Sequence, residues 1–128
     1  HRLIPKVLKC IKNNLKFPIH GKGLTKRDFI FDEDFNDAFY KVLKRGKVGK
    51  IYHFSTNYYV SIKNIIEILC KSKNVKYKDF IYNTLDRKGK DKYYFLDCSK
   101  TSEELKWKPK NKLIQGLNKT IKYYDKEL

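Results

Sequence analysis

Apolar residues recur at helical spacing in five stretches of this 128-residue chain, and the strand-like runs between them are only four to six residues long. A chain built this way cannot form a broad sheet. It must bury helix faces against one another, with short strands filling in. Leu3, Ile4, Val7, Leu8, Ile11 and Leu15 make the first stripe, ended by Asn13-Asn14. Phe35, Ala38, Phe39, Val42 and Leu43 make the second, with Phe35 and Phe39 expected to face the core. Asp32-Glu33-Asp34 opens that helix, where carboxylates suit the positive end of the dipole, and Arg45-Gly46 closes it. Ile62, Ile65, Ile66, Leu69 and Cys70 follow Ser61 as N-cap. Ser99 is read as the cap of a short helix through Leu105, and Leu113, Ile114, Leu117, Ile121 and Tyr124 line the last.

The expected strands are Phe17–His20, Asp28–Phe31, Lys50–Phe54 and 79–84, with a short extended piece at 94–97. Pro18 makes the first of them an edge strand, because proline cannot donate to a ladder. The expected fold class is therefore α/β or α+β, dominated by helix. The length suits one compact domain with a modest core.

The formal charge is +16, from 30 Lys and Arg against 14 Asp and Glu. That raises an anionic partner such as nucleic acid, a membrane surface or a phosphate. Only Arg2, Arg27, Arg45 and Arg87 are arginine, however, and arginine is what grips phosphates and bases bidentately. Lysine occurs in every segment, as in a solvated surface, rather than in one patch with interleaved aromatics. A nucleic-acid-binding module is thus the distant alternative, and no specific nucleic acid is expected. No apolar run approaches the roughly 20 residues of a membrane span. Cys10, Cys70 and Cys98 are odd in number and far apart, with no C-x-x-C pair. They point to buried thiols in a reducing, cytoplasmic compartment rather than to a disulfide framework or a zinc ribbon. The chain contains no Met and starts at His1, and it shows no signal-peptide pattern. The expectation is a piece of something longer.

No catalytic set is legible. Gly21-x-Gly23 lacks the third glycine of a dinucleotide fingerprint, since position 26 is Lys26. Tyr40/Lys44 and Tyr59/Lys63 have the Tyr-x-x-x-Lys relay spacing, but about two such matches arise by chance in so Tyr- and Lys-rich a chain. His1, His20 and His53 lack metal-ligand spacing, so no metal site is expected. What remains are cations at structural punctuation: Arg27 at the mouth of a strand, and Arg87 and Lys90 around Gly89. Backbone beside a glycine can approach a phosphate closely.

The order of segments carries more. Arg2-Leu3-Ile4-Pro5, Phe17-Pro18-Ile19-His20-Gly21-Lys22-Gly23 and Arg27-Asp28-Phe29-Ile30-Phe31-Asp32-Glu33-Asp34 resemble the C-terminal part of the nucleotide-sugar-modifying extended short-chain dehydrogenases/reductases. That family shows [KR]-L-I-P, P-[VI]-[YH]-G-x-G and R-D-[FW]-x-[YF]-x-x-D at the same spacings. Gly49–Phe54 is similar to its G-x-x-Y-N-[IL]-G strand, with His53 and Ser55 in place of Asn and Gly. Asp86-Arg87-Lys88-Gly89-Lys90-Asp91 with Tyr94 and Asp97, Leu105-Lys106-Trp107-Lys108-Pro109, and Gly116 through Tyr124 resemble its later blocks. The Asp86–Asp97 block is most like the 4,6-dehydratases that act on dTDP-glucose. UDP-glucose 4,6-dehydratases and UDP-sugar 4-epimerases or decarboxylases of the same family are the alternatives.

The resemblance implies the substrate-binding lobe, over residues 1–128, of an NAD-dependent lyase of deoxysugar biosynthesis. Its Rossmann core, catalytic residues and NAD site would lie outside this chain, as would its homodimer contacts. By the family pattern, Arg27 and Arg87 grip the diphosphate and Arg2 lies beside the nucleotide. Pro18, Ile19 and His20 line the base pocket, partly through backbone groups, and Ser61 and Lys90 add polar contacts. No catalytic residue, no metal and no bound cofactor are expected on this chain, and no membrane partner. The chain alone is expected to be inactive and to expose apolar surface that the rest of the enzyme covers.

Overall fold

The computed structural model describes residues 2–86, 89, 91 and 93–127. It is a helix-rich α/β arrangement, as expected. The chain divides into two compact units, residues 1–27, 60–94 and 121–128 in the first and 28–59 and 95–120 in the second.

The first unit opens with α1 (Leu3–Lys12), which buries Val7 and Leu8 and stops at Asn13. Asn14 follows at φ 52°, a left-handed conformation that asparagine tolerates. Next come β1 (Phe17–His20), a single 3-10 turn (Gly21–Gly23) and β2 (Lys26–Asp28). β3 (Tyr59–Ser61) pairs with β2 and runs into α3 (Ile62–Ser72). Ser61 caps α3 as expected, its Oγ accepting from Asn64 N–H at 3.1 Å. Ile65, Ile66, Leu69 and Cys70 are buried along that helix. One turn of helix, α4 (Tyr77–Phe80), leads into β4 (Ile81–Thr84), which lies parallel to β1.

In the second unit, α2 (Asp32–Arg45), α5 (Ser99–Leu105) and the loop carrying Trp107 surround a small core. Ala38, Leu105 and Trp107 are fully buried there, with Ile30, Val42, Tyr52 and Phe54 packed on them. The Phe54 ring meets Trp107 edge to face at 5.2 Å. Asp34, 3% exposed, ties the loop to α2. Its carboxylate accepts from the backbone N–H of Lys110 and Asn111, both at 3.0 Å, and from Asn111 Nδ2 at 3.2 Å. Its backbone oxygen accepts from the Trp107 indole at 3.1 Å. The final helix, α6 (Leu113–Glu127), buries Leu117 and Ile121.

Several expectations are corrected. Phe35 and Phe39 do not face a core; they are 46% and 54% exposed. The helix turns its Asp34, Ala38 and Val42 face inward, because Trp107 and the loop after it need the Asp34 acceptors. Lys50–Phe54 is not a strand. Its His53 N–H donates to the Thr101 side chain, at 3.2 Å from Oγ1, and its Lys50 N–H to Lys47 O at 3.2 Å. The second strand is Lys26–Asp28 rather than Asp28–Phe31, because its partner is Tyr59–Ser61 and Ile30 is drawn into the Trp107 cluster. The fourth begins at Ile81, the residues before it forming α4, and 94–97 joins no strand. Ser99 is the first residue of α5 rather than its cap, and Asp97 Oδ1 accepts both its N–H and its hydroxyl. Among the described residues no helix is long and apolar enough to cross a membrane.

Candidate functional site

Six of the eight residues singled out from sequence are described, and all six lie in the first unit: Arg2, Pro18, Ile19, His20, Arg27 and Ser61. Arg87 and Lys90 lie outside the described residues.

β1 sets the site by alternation. Phe17 and Ile19 are 5% and 2% exposed, and Phe17 stacks on Phe80 at 6.1 Å. Pro18 and His20 are half-buried and fall on the opposite face. The Ile19 side chain is therefore core, and only its backbone is available to a ligand. The parallel register with β4 pairs Pro18 with Tyr82 and His20 with Thr84. His20 Nδ1 sits 3.0 Å from Leu85 O and 2.7 Å from Thr84 Oγ1, and the Thr84 hydroxyl donates to Ile19 O at 3.3 Å.

The strand then breaks into Gly21–Gly23, with φ of 54°, 55° and 68° at Gly21, Lys22 and Gly23. Side chains are disfavoured at both glycines by their positive φ. A Cβ on Gly21 would collide with the Asp86 carboxylate, and one on Gly23 would come within 2.5 Å of Ile19 Cδ1 and 3.0 Å of Lys63 N. The turn is thereby pressed against the loop after β4 on one side and the start of α3 on the other.

Arg27 reaches the same loop. Its Nη2 donates to Asp91 O at 3.0 Å and its Nη1 to Lys26 O at 2.7 Å. Two of the five guanidinium N–H groups are thus used to aim the fork. His20 and Arg27 both anchor on the 85–91 segment, the stretch that carries Arg87 and Lys90 in the sequence. Ser61 is more distant in role: its oxygen is occupied as the α3 cap, which leaves its O–H as donor. Arg2 is exposed at the N-cap of α1, and its backbone oxygen accepts from Lys6 N–H at 3.3 Å.

Sequence reasoning missed Thr84 and the Leu85 carbonyl as the partners of His20, and Asp86 as the neighbour of Gly21. The signal for them is the pairing of two strands about 60 residues apart, which periodicity does not reveal.

No dinucleotide cradle is formed by the described residues. The glycine turn after β1 leads to β2, not to a helix whose N-terminus would meet a pyrophosphate. The two buried thiols are poor nucleophiles: burial and the nearby Glu67 push Cys70 up to about 11, and burial likewise raises Cys98.

The chain is similar to known proteins along most of its length. Residues 1–120 match the family model described as GDP-mannose 4,6 dehydratase. A dTDP-glucose 4,6-dehydratase of Haemophilus influenzae is 35% identical over 96% of this chain, which covers 39% of that relative. The solved dTDP-glucose 4,6-dehydratase of Bacillus anthracis, in complex with NAD, superposes with a TM-score of 0.89 at 30% identity. It covers 98% of this chain and 39% of its own. DesIV, the dTDP-glucose 4,6-dehydratase of Streptomyces venezuelae solved with NAD and dTDP bound, gives a TM-score of 0.92 at 27% identity. It covers 98% of this chain and 38% of its own. The chain thus spans well under half the length of the relatives it matches.

Proposed function

The chain belongs to the GDP-mannose 4,6 dehydratase family, and from that membership we propose that it is the nucleotide-sugar-binding lobe of an NAD-dependent dTDP-glucose 4,6-dehydratase. The observation that carries the proposal is that two motif residues, His20 and Arg27, are anchored by Leu85 O and Asp91 O, which flank Arg87 and Lys90 in the sequence. In this reading Arg27 and Arg87 hold the diphosphate through charge-assisted forks. Pro18, the Ile19 backbone and His20 face the base. Arg2, Ser61 and Lys90 add polar contacts around the nucleotide.

The whole enzyme oxidises C4 of the hexose, eliminates water across C5–C6 and returns the hydride to C6. NAD supplies that hydride chemistry, and we assign it to the Rossmann part of the enzyme, because the glycine turn here does not fit it. This lobe binds and orients. Energy gained on the nucleotide, far from the reacting carbons, holds the sugar in place for the chemistry. We place the enzyme in the cytoplasm, as a homodimer joined outside residues 1–128.

Arg27→Ala tests the assignment by calorimetric titration with dTDP. Loss of hydrogen bonds between charged partners is expected to weaken binding by about 1.5–3 kcal/mol, roughly 10- to 150-fold. An unchanged dissociation constant would overturn it.

A further inference from the structure

We infer that the lysine groove beside α2 and α5 is a docking site for an extended acidic peptide, whose alternate carboxylates pair with Lys106, Lys108 and Lys110. The groove lies wholly within the second unit. The inference goes beyond the nucleotide-binding reading and does not depend on it.

The groove has a volume of about 570 Å³, and its lining includes Lys41, Glu103, Pro109 and those three lysines. Exposure alternates along the loop after α5. Lys106, Lys108 and Lys110 are exposed, Trp107 is fully buried and Pro109 is half-buried. The loop is held at both ends. Trp107 N–H donates to Ser102 O at 3.2 Å and its indole to Asp34 O at 3.1 Å, while Lys110 N–H donates to Asp34 Oδ1 at 3.0 Å. Three cations two residues apart thus stand on a backbone already ordered, which removes a cost of binding. Lys41 closes the groove from α2: its Nζ donates to Lys106 O at 3.0 Å and lies 3.5 Å from Asp37 Oδ2. Lys110 Nζ is 3.9 Å from Asp37 Oδ1, with the side chain 73% exposed. Among the described residues Lys106 and Lys108 have no ion-pair partner.

Lys106 ends α5 at φ 50° and ψ 45°, the left-handed conformation that glycine adopts freely and a side chain resists. A long cation stands there against the backbone preference. Side chains two apart in an extended peptide point the same way, so carboxylates at alternate positions match the row of lysines. Lysine is a compact point charge, whereas phosphate is gripped bidentately by the arginine fork, and the groove is lined by lysine alone among the basic residues. Nor does the loop offer a ring for bases to stack on, since Trp107 is fully buried. An acidic peptide therefore fits the groove better than a nucleic acid does. Glu103 on the α5 wall repels carboxylates and so confines the peptide to the loop side.

The test is fluorescence anisotropy of the chain with a labelled peptide in which Glu alternates with Val. Saturable binding at low salt that weakens as salt is added is expected. Lys106→Gly removes a charge and relieves the left-handed backbone together. It is expected to weaken binding about two- to fivefold without lowering the thermal midpoint. Lys108→Gln is expected to weaken binding by about the same factor, and Lys12→Gln, on α1 in the first unit, to leave it unchanged. No binding at low salt overturns the inference. Equal losses from all three variants do so too, because they mean attraction to the whole basic surface. A lower midpoint for Lys106→Gly would show that this lysine serves the fold, which also overturns it. A single-stranded oligonucleotide of equal charge that binds more tightly, and loses affinity in Lys106→Gly, would overturn the choice of a peptide. Added dTDP is expected to leave the peptide bound whether or not the nucleotide site exists, and displacement of the peptide by dTDP would overturn the separate groove.

Discussion

Replacing Asp34 by Asn removes one charge and almost no volume, and its cost follows from the geometry. Asp34 Oδ1 accepts from Lys110 N–H and from Asn111 Nδ2, and Oδ2 accepts from Asn111 N–H. The best amide orientation keeps its oxygen at the Oδ1 position, saving two of those bonds. Its NH2 group then faces the Asn111 N–H, donor against donor. One charge-assisted bond is lost and one N–H is left unsatisfied at a site that is 3% exposed. The penalty is about 2–4 kcal/mol, a large fraction of the stability of a small domain. The pH dependence has a definite sign. Burial raises the Asp34 carboxyl, but the bonds from Lys110 and Asn111 and the Lys110 charge outweigh it, so its folded pKa lies below the usual carboxylate value. Such a group stabilises the fold above its unfolded pKa of about 3.9, and the contribution is lost as pH falls through the lower folded value. Urea unfolding of wild type and Asp34→Asn at neutral pH and at about pH 3 reads both effects. The expected gap is widest at neutral pH and shrinks in acid. A gap under about 1 kcal/mol at neutral pH, or one equally large in acid, would refute the clamp.

Gly23→Ala meets both a positive φ and the Ile19 contact, so it is expected to lower stability by at least about 2 kcal/mol in thermal unfolding. Gly49→Ala, also at positive φ but in open space, costs only the backbone term of about 1 kcal/mol, and equal losses would show that the Gly23 contact is unimportant. In the folded chain a thiol reagent is expected to modify the half-buried Cys10 first, with the buried Cys70 and Cys98 reacting only on unfolding; rapid labelling of all three would contradict the packing. The purified 128-residue chain is expected to form no 4-keto-6-deoxy sugar from dTDP-glucose with NAD added, and any product detected by reduction and chromatography would refute the division of labour.

The helices were legible because each carries its own signal: an apolar stripe, Asp32–Asp34 at one start, Ser61 at another and Asn13 at a stop. β1 was legible from Pro18 and the alternation about it. What sequence could not supply was partnership. Lys50–Phe54 alternates like a strand, yet its Tyr52 and Phe54 go to the Trp107 cluster and its His53 N–H to the Thr101 side chain. The second stripe was rotated by a polar demand, the Asp34 clamp, which a hydrophobic pattern does not register. At the site, His20 and Arg27 were legible as motif residues. Their anchors, Leu85 O, Thr84 and Asp91 O, were not, since two are backbone carbonyls and all lie about 64 residues away.

The central claim is that the lobe formed by the first unit holds a nucleoside diphosphate. The direct measurement is a two-dimensional amide NMR titration of the chain with dTDP. Saturable shifts are expected at Pro18-flanking amides, His20–Gly23, Arg27 and the 85–91 loop, with residues around the lysine-rich groove of Lys41, Lys106, Lys108 and Lys110 unmoved. Shifts confined to that groove, or spread over lysines across the whole surface, would contradict the account.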